Sequence, residues 1–514
     1  MSRTLRLILG DQLNVNHSWF QTVDPSITYL LMEVRSEATY VTHHIQKIVA
    51  FFLAMRSFAE TLTKLGHNVR YIKIDDPDNS HSLADNIERI LREERAFSAF
   101  SYQLPDEYRV DKLLTDLSRK LKVPTTIADT EHFLTARDEL SGFFAGKRTR
   151  IMESFYRMMR QKHGILVHDG KPEGGKWNYD AENRKRYDGT VKIPPRPRFT
   201  RQAAADEITA IVRTLEISTI GTLAPNSFNW PVTRDESLNA LNHFVANLLP
   251  HFGKYQDALD TNDPFLFHSL LSFPLNVKLI SPREVIDAAL AAYRKNKTRI
   301  SIEQVEGFIR QILGWREYMR GLYWERMPKF ATLNFFDNTR ALPEFFWTGH
   351  TKMNCLKHAI SQSLELAYAH HIQRLMVTGS FAMMAGINPD EVDRWYLGIY
   401  IDAVEWVELM NTRGMSQFAD GGLVATKPYC GSANYMKKMS NYCSGCSYDP
   451  NTRTESDSCP LNALYWDFHI RNREKLEGNP RIGMVYRTID KMDAAEKRAV
   501  KKRALFILDN LDRI

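Results

Sequence analysis

No stretch of this 514-residue chain approaches the ~18 uninterrupted apolar residues of a membrane-spanning helix, which excludes a transmembrane segment. The N-terminal MSRTLRLILGDQL has only a short apolar run that passes straight into polar residues. It lacks the small-residue cleavage site of a secretory signal, so the expected location is cytoplasmic, away from any membrane. Cysteine is scarce: five residues, an odd number, too few for a disulfide scaffold. No Gly-x-Gly-x-x-Gly follows the first apolar run, so dinucleotide binding of the usual kind is not indicated. There is no internal repeat and no low-complexity segment. What remains is an ordinary globular composition, 43% hydrophobic and 25% charged, long enough for two to four domains at about 150 residues each. The net charge of +7 and pI near 8.9 permit an anionic partner without identifying one.

The first 134 residues alternate strand and helix. Leu5–Leu9, Thr28–Met32, Val69–Ile74, Ala99–Tyr102 and Thr125–Ala128 are short apolar or β-branched runs, separated by helical patterns such as Val41–Leu65 and Leu83–Glu94. That alternation predicts a doubly wound parallel α/β sheet. Gly10-Asp11-Gln12 falls at the carboxyl end of its first strand, where such sheets bind ligands. Residues 135–231 read as a partly helical connector, broken by Gly170–Gly175 and Pro194–Pro197. Arg148, Arg150, Arg157, Arg160 and Lys162 make part of it basic, a pattern that commonly marks a solvated helix face. Residues 232–514 read as helical almost throughout. Val305, Phe308, Ile309 and Ile312 recur at helical spacing, and Asn388-Pro389-Asp390-Glu391 is a helix start with an N-cap, proline at the first helical position and Glu at N3.

All five cysteines lie after residue 354. Cys443-x2-Cys446-x12-Cys459-Pro460, joined by the distant Cys355, offers four thiolates, enough for a structural zinc or an iron–sulfur cluster. Spacing leaves both open, and Cys430 stands apart as an ordinary thiol. His370 and His371 fall within an expected helix Leu364–Met376, with Arg374 one turn after His370. Adjacent side chains there project about 100° apart, so the two rings suit a proton donor better than a shared metal. Trp395, Tyr396 and Trp347 read, from spacing alone, as packing aromatics.

Several segments together resemble the photolyase/cryptochrome superfamily, and within it the iron–sulfur bacterial branch, the prokaryotic (6-4) photolyases. They are Val305–Gln311 with Trp315–Tyr318, Ala369–Leu375, Gly414–Gly422, Met152–Arg157, Gly10–Gln12 and the four-cysteine pattern, so the likeness covers nearly the whole chain. It implies an α/β antenna domain (1–134), a connector (135–231) and an all-helical FAD domain (232–514) carrying a [4Fe–4S] cluster on Cys355, Cys443, Cys446 and Cys459. The resemblance further implies FAD contacts from His268, Ser269, Leu270, Leu271, Ser272, Arg310, Gln311, Arg374, Asp402 and Glu408. An electron relay would run through Trp395, Trp347 and Tyr396. Asp11, Glu33, Glu37 and Tyr40 would hold a 6,7-dimethyl-8-ribityllumazine antenna, although Gln103 and Tyr108 do not match the pattern nearby.

The implied activity is that of a (6-4) DNA photolyase, acting as a monomer on UV-damaged DNA. Photoexcited reduced FAD would lend an electron to a (6-4) pyrimidine–pyrimidone lesion flipped out of the stack. His371, with His370, would supply the proton, while Met415, Tyr429, Tyr435 and Trp315 would line the lesion pocket. An acidic residue is missing three positions before Trp315, where the chain has Ile312, and this weighs against cyclobutane-dimer repair. The alternatives are a cryptochrome-like photoreceptor with the same cofactors, and a zinc-bearing nucleic-acid-binding protein without light chemistry.

Overall fold

The computed structural model describes residues 3–147 and 149–514. Five strands, β1 (Arg3–Leu7), β2 (Ile27–Met32), β3 (Asn68–Ile72), β4 (Phe97–Gln103) and β5 (Thr125–Ala128), form one parallel sheet in the order β3-β2-β1-β4-β5. β2 is buried on both faces, as a parallel sheet covered by helices requires, and β1 buries Leu5 and Leu7. The strand order reverses between β1 and β4. There the turns after β1 (Gly10-Asp11) and β4 (Pro105–Glu107) open a crevice, the usual ligand position in such sheets.

The connector divides between the two bodies it joins. Leu140, Phe155, Tyr156 and Met159 belong to the large core of the helical region. Ala205, Ile208 and Val212 of the helix Gln202–Thr214 pack with the helix Ile45–Lys64 beside the sheet. The basic run is not an open cationic face. Arg160 is fully buried and donates to the carbonyls of Ile165, Leu166 and Trp177 at 3.2, 2.6 and 2.9 Å. Arg150, Arg157 and Lys162 are paired with Glu325, Glu153 and Glu139, and Arg148 lies outside the described residues. Charge spacing alone could not reveal these carboxylates, two of which come from outside that helix.

In the helical region, Asn388 caps the helix Pro389–Ile399 as its sequence requires, its side chain accepting from the Asp390 amide at 3.0 Å. The expected continuous helix Leu364–Met376 is broken. The helix Asn354–Leu366 ends at Ala367, which sits in the left-handed region at φ 53°, and helical structure resumes at His371. The side chain of Gln373 accepts from the His370 amide at 3.0 Å and caps the new start, while Gln362 donates to the Tyr368 carbonyl at 3.1 Å. The break turns Tyr368, Ala369 and His370 toward a cavity that a straight helix would have sealed.

The contact between sheet and helical region holds a histidine that makes acid destabilising. His44 caps the helix Ile45–Lys64, accepting from the Gln46 amide at 3.1 Å, and its other ring nitrogen meets the Leu364 carbonyl at 2.8 Å. Burial lowers its pKa to about 4, and likewise that of His469. Between pH ~6.5 and ~4 the unfolded chain therefore binds protons that the folded chain refuses. Stability should fall through that window by about 1.4 kcal/mol per pH unit for each histidine. Urea midpoints measured across the window should decline in the wild type and decline less steeply in His44→Asn.

Candidate active site

A cavity of about 300 Å³ lies wholly within the helical region and sits at the lower end of the ~300–1,000 Å³ range of small-molecule sites. One wall is the turn before the helix Ser272–Asn276. His268, Ser269, Leu270 and Ser272 line it, with Leu270 held at φ 56°, whereas Leu271 turns into the core. Three wide helical turns form much of the rest: Arg310–Arg316, Gln373–Gly379 and Met410–Ser416. Such π-type turns concentrate at functional sites. Two of them are pressed together at Gly379, where a Cβ would fall 2.0 Å from the Ser416 hydroxyl and 2.5 Å from the Arg374 carbonyl.

Arg374 is the electrostatic centre of the cavity. It pairs with Asp402 at 2.9 Å, donates to the Ala369 carbonyl at 2.7 Å, and stacks 3.7 Å over the Tyr400 ring. Burial pushes Glu408 above the carboxylate range, although Arg374 and its bond from Thr412 oppose this. His268 and His370 stack at 4.4 Å and 19° between planes. Burial lowers the pKa of His268 to about 3 and that of His370 well below the imidazole range. His371 keeps an open surface toward the cavity, yet its protein surroundings and the charge of Arg374 lower its pKa too. Both effects disfavour the charged form of His371.

Trp395 is buried against Phe346, donates from Nε1 to the Phe346 carbonyl at 3.0 Å, and meets the Tyr396 ring edge-on at 5.4 Å. Tyr396 lines the cavity, while Trp347, next to Phe346, is 44% exposed. A file of aromatics therefore runs from surface to cavity. Tyr400, which sequence reading missed, joins it at 5.4 Å from Tyr396 and 5.8 Å from Trp395.

Not every expected contact reaches the cavity. Gln311 and Trp315 line it, but Arg310 turns to Glu306 at 3.2 Å and Asp180 at 3.4 Å. Met415 is packed in the core. Tyr429 and Tyr435 stand half-buried outside, within the fields of Arg184 and Asp257. Sequence reading also missed Tyr368, Asn276 and Asn411, polar groups on the wall that no motif marked.

Asp11, Glu33, Glu37 and Tyr40 converge on a second cavity of about 130 Å³, at the crevice of the sheet. Glu33 is fully engaged by Arg56, Tyr71 and the Ile74 amide. Glu37 pairs with Arg109, which covers the Tyr40 ring at 4.3 Å. Burial, with Asp106 and Glu107 adding, outweighs Lys278 and raises the Asp11 pKa to about 6. Lys47, also on this wall, has its pKa lowered to about 8 by burial and donates to the Leu397 carbonyl at 2.7 Å.

Cys355, Cys443, Cys446 and Cys459 face one small apolar cavity from three segments, held by the bond from Asn354 to the Tyr442 carbonyl at 2.8 Å. Among the described residues, no three His, Cys, Asp or Glu side chains stand close enough to hold a single metal ion. Cys430 lies elsewhere, its sulfur 3.2 Å from His469.

A profile of deoxyribodipyrimidine photo-lyase-related proteins matches residues 6–230. Over 509 residues, 99% of both chains, the sequence is 44% identical to a (6-4) photolyase of Agrobacterium fabrum. The chain belongs to the photolyase family. Its fold agrees with a crystal structure of a bacterial class III photolyase from Agrobacterium tumefaciens, with a TM-score of 0.56 at 15% identity, covering 98% of this chain and 92% of that one. A Synechocystis cryptochrome gives 0.55 at 11% identity, covering 97% and 94%. An uncharacterized protein of Acanthamoeba polyphaga mimivirus shares 42% identity over 111 residues, 22% of this chain and 84% of that one. The photolyase architecture thus extends along the whole chain, sheet and helical region together. No helix among the described residues is long and apolar enough to cross a membrane.

Both large cavities suit the groups that photolyases carry. In the first, the buried ring nitrogens Nε2 of His268 and Nδ1 of His370 have no partner within the protein, and the Arg374–Asp402 pair offers opposite charges side by side. A polar, planar ligand such as a flavin satisfies both. In the second, the buried Nδ1 of His43 has no partner within the protein and stands beside carboxylates and the Tyr40 ring, which suits a polar ring with a hydroxylated tail.

Proposed function

We propose that this chain is a light-driven DNA repair enzyme, a (6-4) photolyase. The observation that carries the reading is identity along the whole chain with a (6-4) photolyase; the cavity supports it residue by residue. Bound FAD would supply photoinduced electron donation to the lesion, with the electron returned at the end. Around it, Arg374 and Asp402 would orient the ring system, Ser269 and Ser272 would offer hydroxyls to a pyrophosphate, and Glu408, on the same wall, would hold or release a proton. His371, open to the cavity, is the proton donor toward the lesion; His370, stacked on His268, holds its flank.

Tyr429 and Tyr435 stand at the approach with Arg184, where aromatic faces stack on flipped bases. The exposed Lys185 and Arg186, with Lys437 and Lys438, replace the internally paired 150–162 run as the phosphate-binding surface, so affinity should weaken with salt. In the second cavity, Asp11, Glu37 and Tyr40 hold a ribityllumazine antenna. The four cysteines, which line one cavity and match the family's four-cysteine pattern, carry a [4Fe–4S] cluster.

The deciding experiment is a repair assay on (6-4)-containing oligonucleotides, illuminated and dark. Product formed only under illumination supports the enzyme; a bound flavin with no repair under light supports the photoreceptor instead.

Within the aromatic file, Trp395→Phe keeps most of the packing but removes an easily oxidised ring. Its folding stability should drop by about 1–3 kcal/mol, for the lost bond to the Phe346 carbonyl and the smaller ring in the core. Flavin photoreduction, followed by absorbance under blue light, should slow severalfold.

A further inference from the structure

The two cavities share a wall, and a buried ion pair stands in it. Ser272, Leu275 and Asn276 face the helical cavity, and two residues later Lys278 reaches the other way. Its ammonium is 2.8 Å from the Asp106 carboxylate, 3.2 Å from that of Asp11, and 2.5 Å from the Asp11 carbonyl. Asp11 and Asp106 both face the second cavity. On the opposite side, Asn276 donates to the Asp402 carbonyl at 2.6 Å and accepts from Arg316 at 2.5 Å. A backbone bond from the Leu13 amide to the Val277 carbonyl at 3.0 Å closes the bridge between sheet and helical region.

Two features of this bridge are costly. Lys278 and Asp106 side chains are each 1% exposed, and burying such a pair gains little stability over well-packed apolar residues. Lys278 also holds φ 66°, a left-handed conformation that costs a non-glycine residue on the order of 1 kcal/mol. An apolar contact would join the regions as firmly but could slide; three fixed distances to one ammonium cannot.

We propose that Lys278 is a positioning residue: with Asp106, Asp11 and Asn276 it forms a strut that fixes the separation and relative orientation of the ligands in the two cavities. The inference rests on the proposed photolyase reading, in which one cavity holds an antenna pigment and the other a flavin. Excitation transfer between two pigments falls steeply with their separation and depends on how their transition dipoles lie relative to each other and to the line joining them. A wall that holds both binding surfaces in register therefore governs transfer without touching the chemistry.

The test compares wild-type holoprotein with Lys278→Met and with the double variant Lys278→Met/Asp106→Leu, which replaces the pair by apolar groups. Arg320, 3.7 Å from Asp106, keeps that carboxylate from being stranded in the single variant. The readout is flavin photoreduction per photon absorbed in the antenna band, divided by the same quantity in the flavin band, with pigment content measured on the same samples. We expect photoreduction on direct flavin excitation to stay at the wild-type level in both variants. The ratio should fall below the wild-type value in both variants, because the support that holds the two binding surfaces in register has been loosened.

An unchanged ratio in either variant with both pigments bound would overturn the strut. So would loss of the antenna from both variants, which would make Lys278 part of the pocket instead. If one variant fails to fold, the other decides. A wild-type protein that shows no antenna-driven photoreduction would count against the photolyase reading itself, a result distinct from these.

Discussion

His371→Ala should lower photorepair of (6-4) lesions by about 10²–10⁴-fold, the range that a positioned general acid contributes. Flavin content, photoreduction and DNA affinity should stay close to wild type. The side chain is open to the cavity and makes no hydrogen bond that holds the wall, so its loss removes a donor and not a support. A reduced lesion that receives no proton returns its electron unrepaired, which is why yield falls and electron supply does not.

The depressed pKa of His371 adds a pH signature. Burial and Arg374 disfavour its charged form, so repair yield should rise as pH falls toward the donor's pKa, within the limits of folding stability. Anionic phosphates flanking a bound lesion lift that pKa toward neutrality. His371→Ala should flatten the profile. Repair by both His371→Ala and His370→Ala at the wild-type quantum yield would remove both rings from the mechanism.

Cys355→Ser should cost several kcal/mol of folding stability and discharge the cluster. Cys355 lies in the first turn of the helix Asn354–Leu366, Cys443 in the turn Tyr442–Gly445, and Cys459 caps the helix Pro460–Arg471, so one metal group ties three distant parts of the chain. Losing a ligand reopens long loops, and the loss of a covalent staple of that kind costs on the order of 2–5 kcal/mol. Burial raises the thiol pKa of Cys459 to about 12 and that of Cys355 well above the usual thiol range, because thiolates there lack a counter-charge until metal is bound. Iron and sulfide content with thermal unfolding of anaerobically prepared protein checks both halves. Zinc without iron in the wild type would refute the cluster.

Much of the fold was legible because strand–helix alternation and capping are local. All five strands formed at or within two residues of the sequence limits, and the Asn388 cap appeared as read. Elements that depended on distant partners were not legible. The interruption at Ala367 is enforced by Gln362 and Gln373 reaching across the break, whereas the local pattern is continuously helical. The basic stretch at 150–162 is neutralised partly by Glu325 and Glu139, whose places only the tertiary structure sets. At the site, motifs located Arg374, Asp402 and His371. They could not show that Arg310 faces away, nor that the isolated residues Lys278 and Asn276 stand between the two cavities.

The wide turns at Arg310–Arg316, Gln373–Gly379 and Met410–Ser416 act as phase shifters. Each admits one surplus residue, as in the bond from the Gln417 amide back to Thr412 at 2.8 Å, and so offsets everything downstream by about 100° relative to an unbroken α-helix. Before the first of them, Val305 and Ile309 face the core; within it, Trp315 and Arg316 face the cavity. The helices are consequently more tolerant of changes in residue type than of changes in length. Deleting any one residue in these turns would restore α-helical pitch, swing the cavity side chains into the core and empty the wall, with no side chain of the site itself replaced.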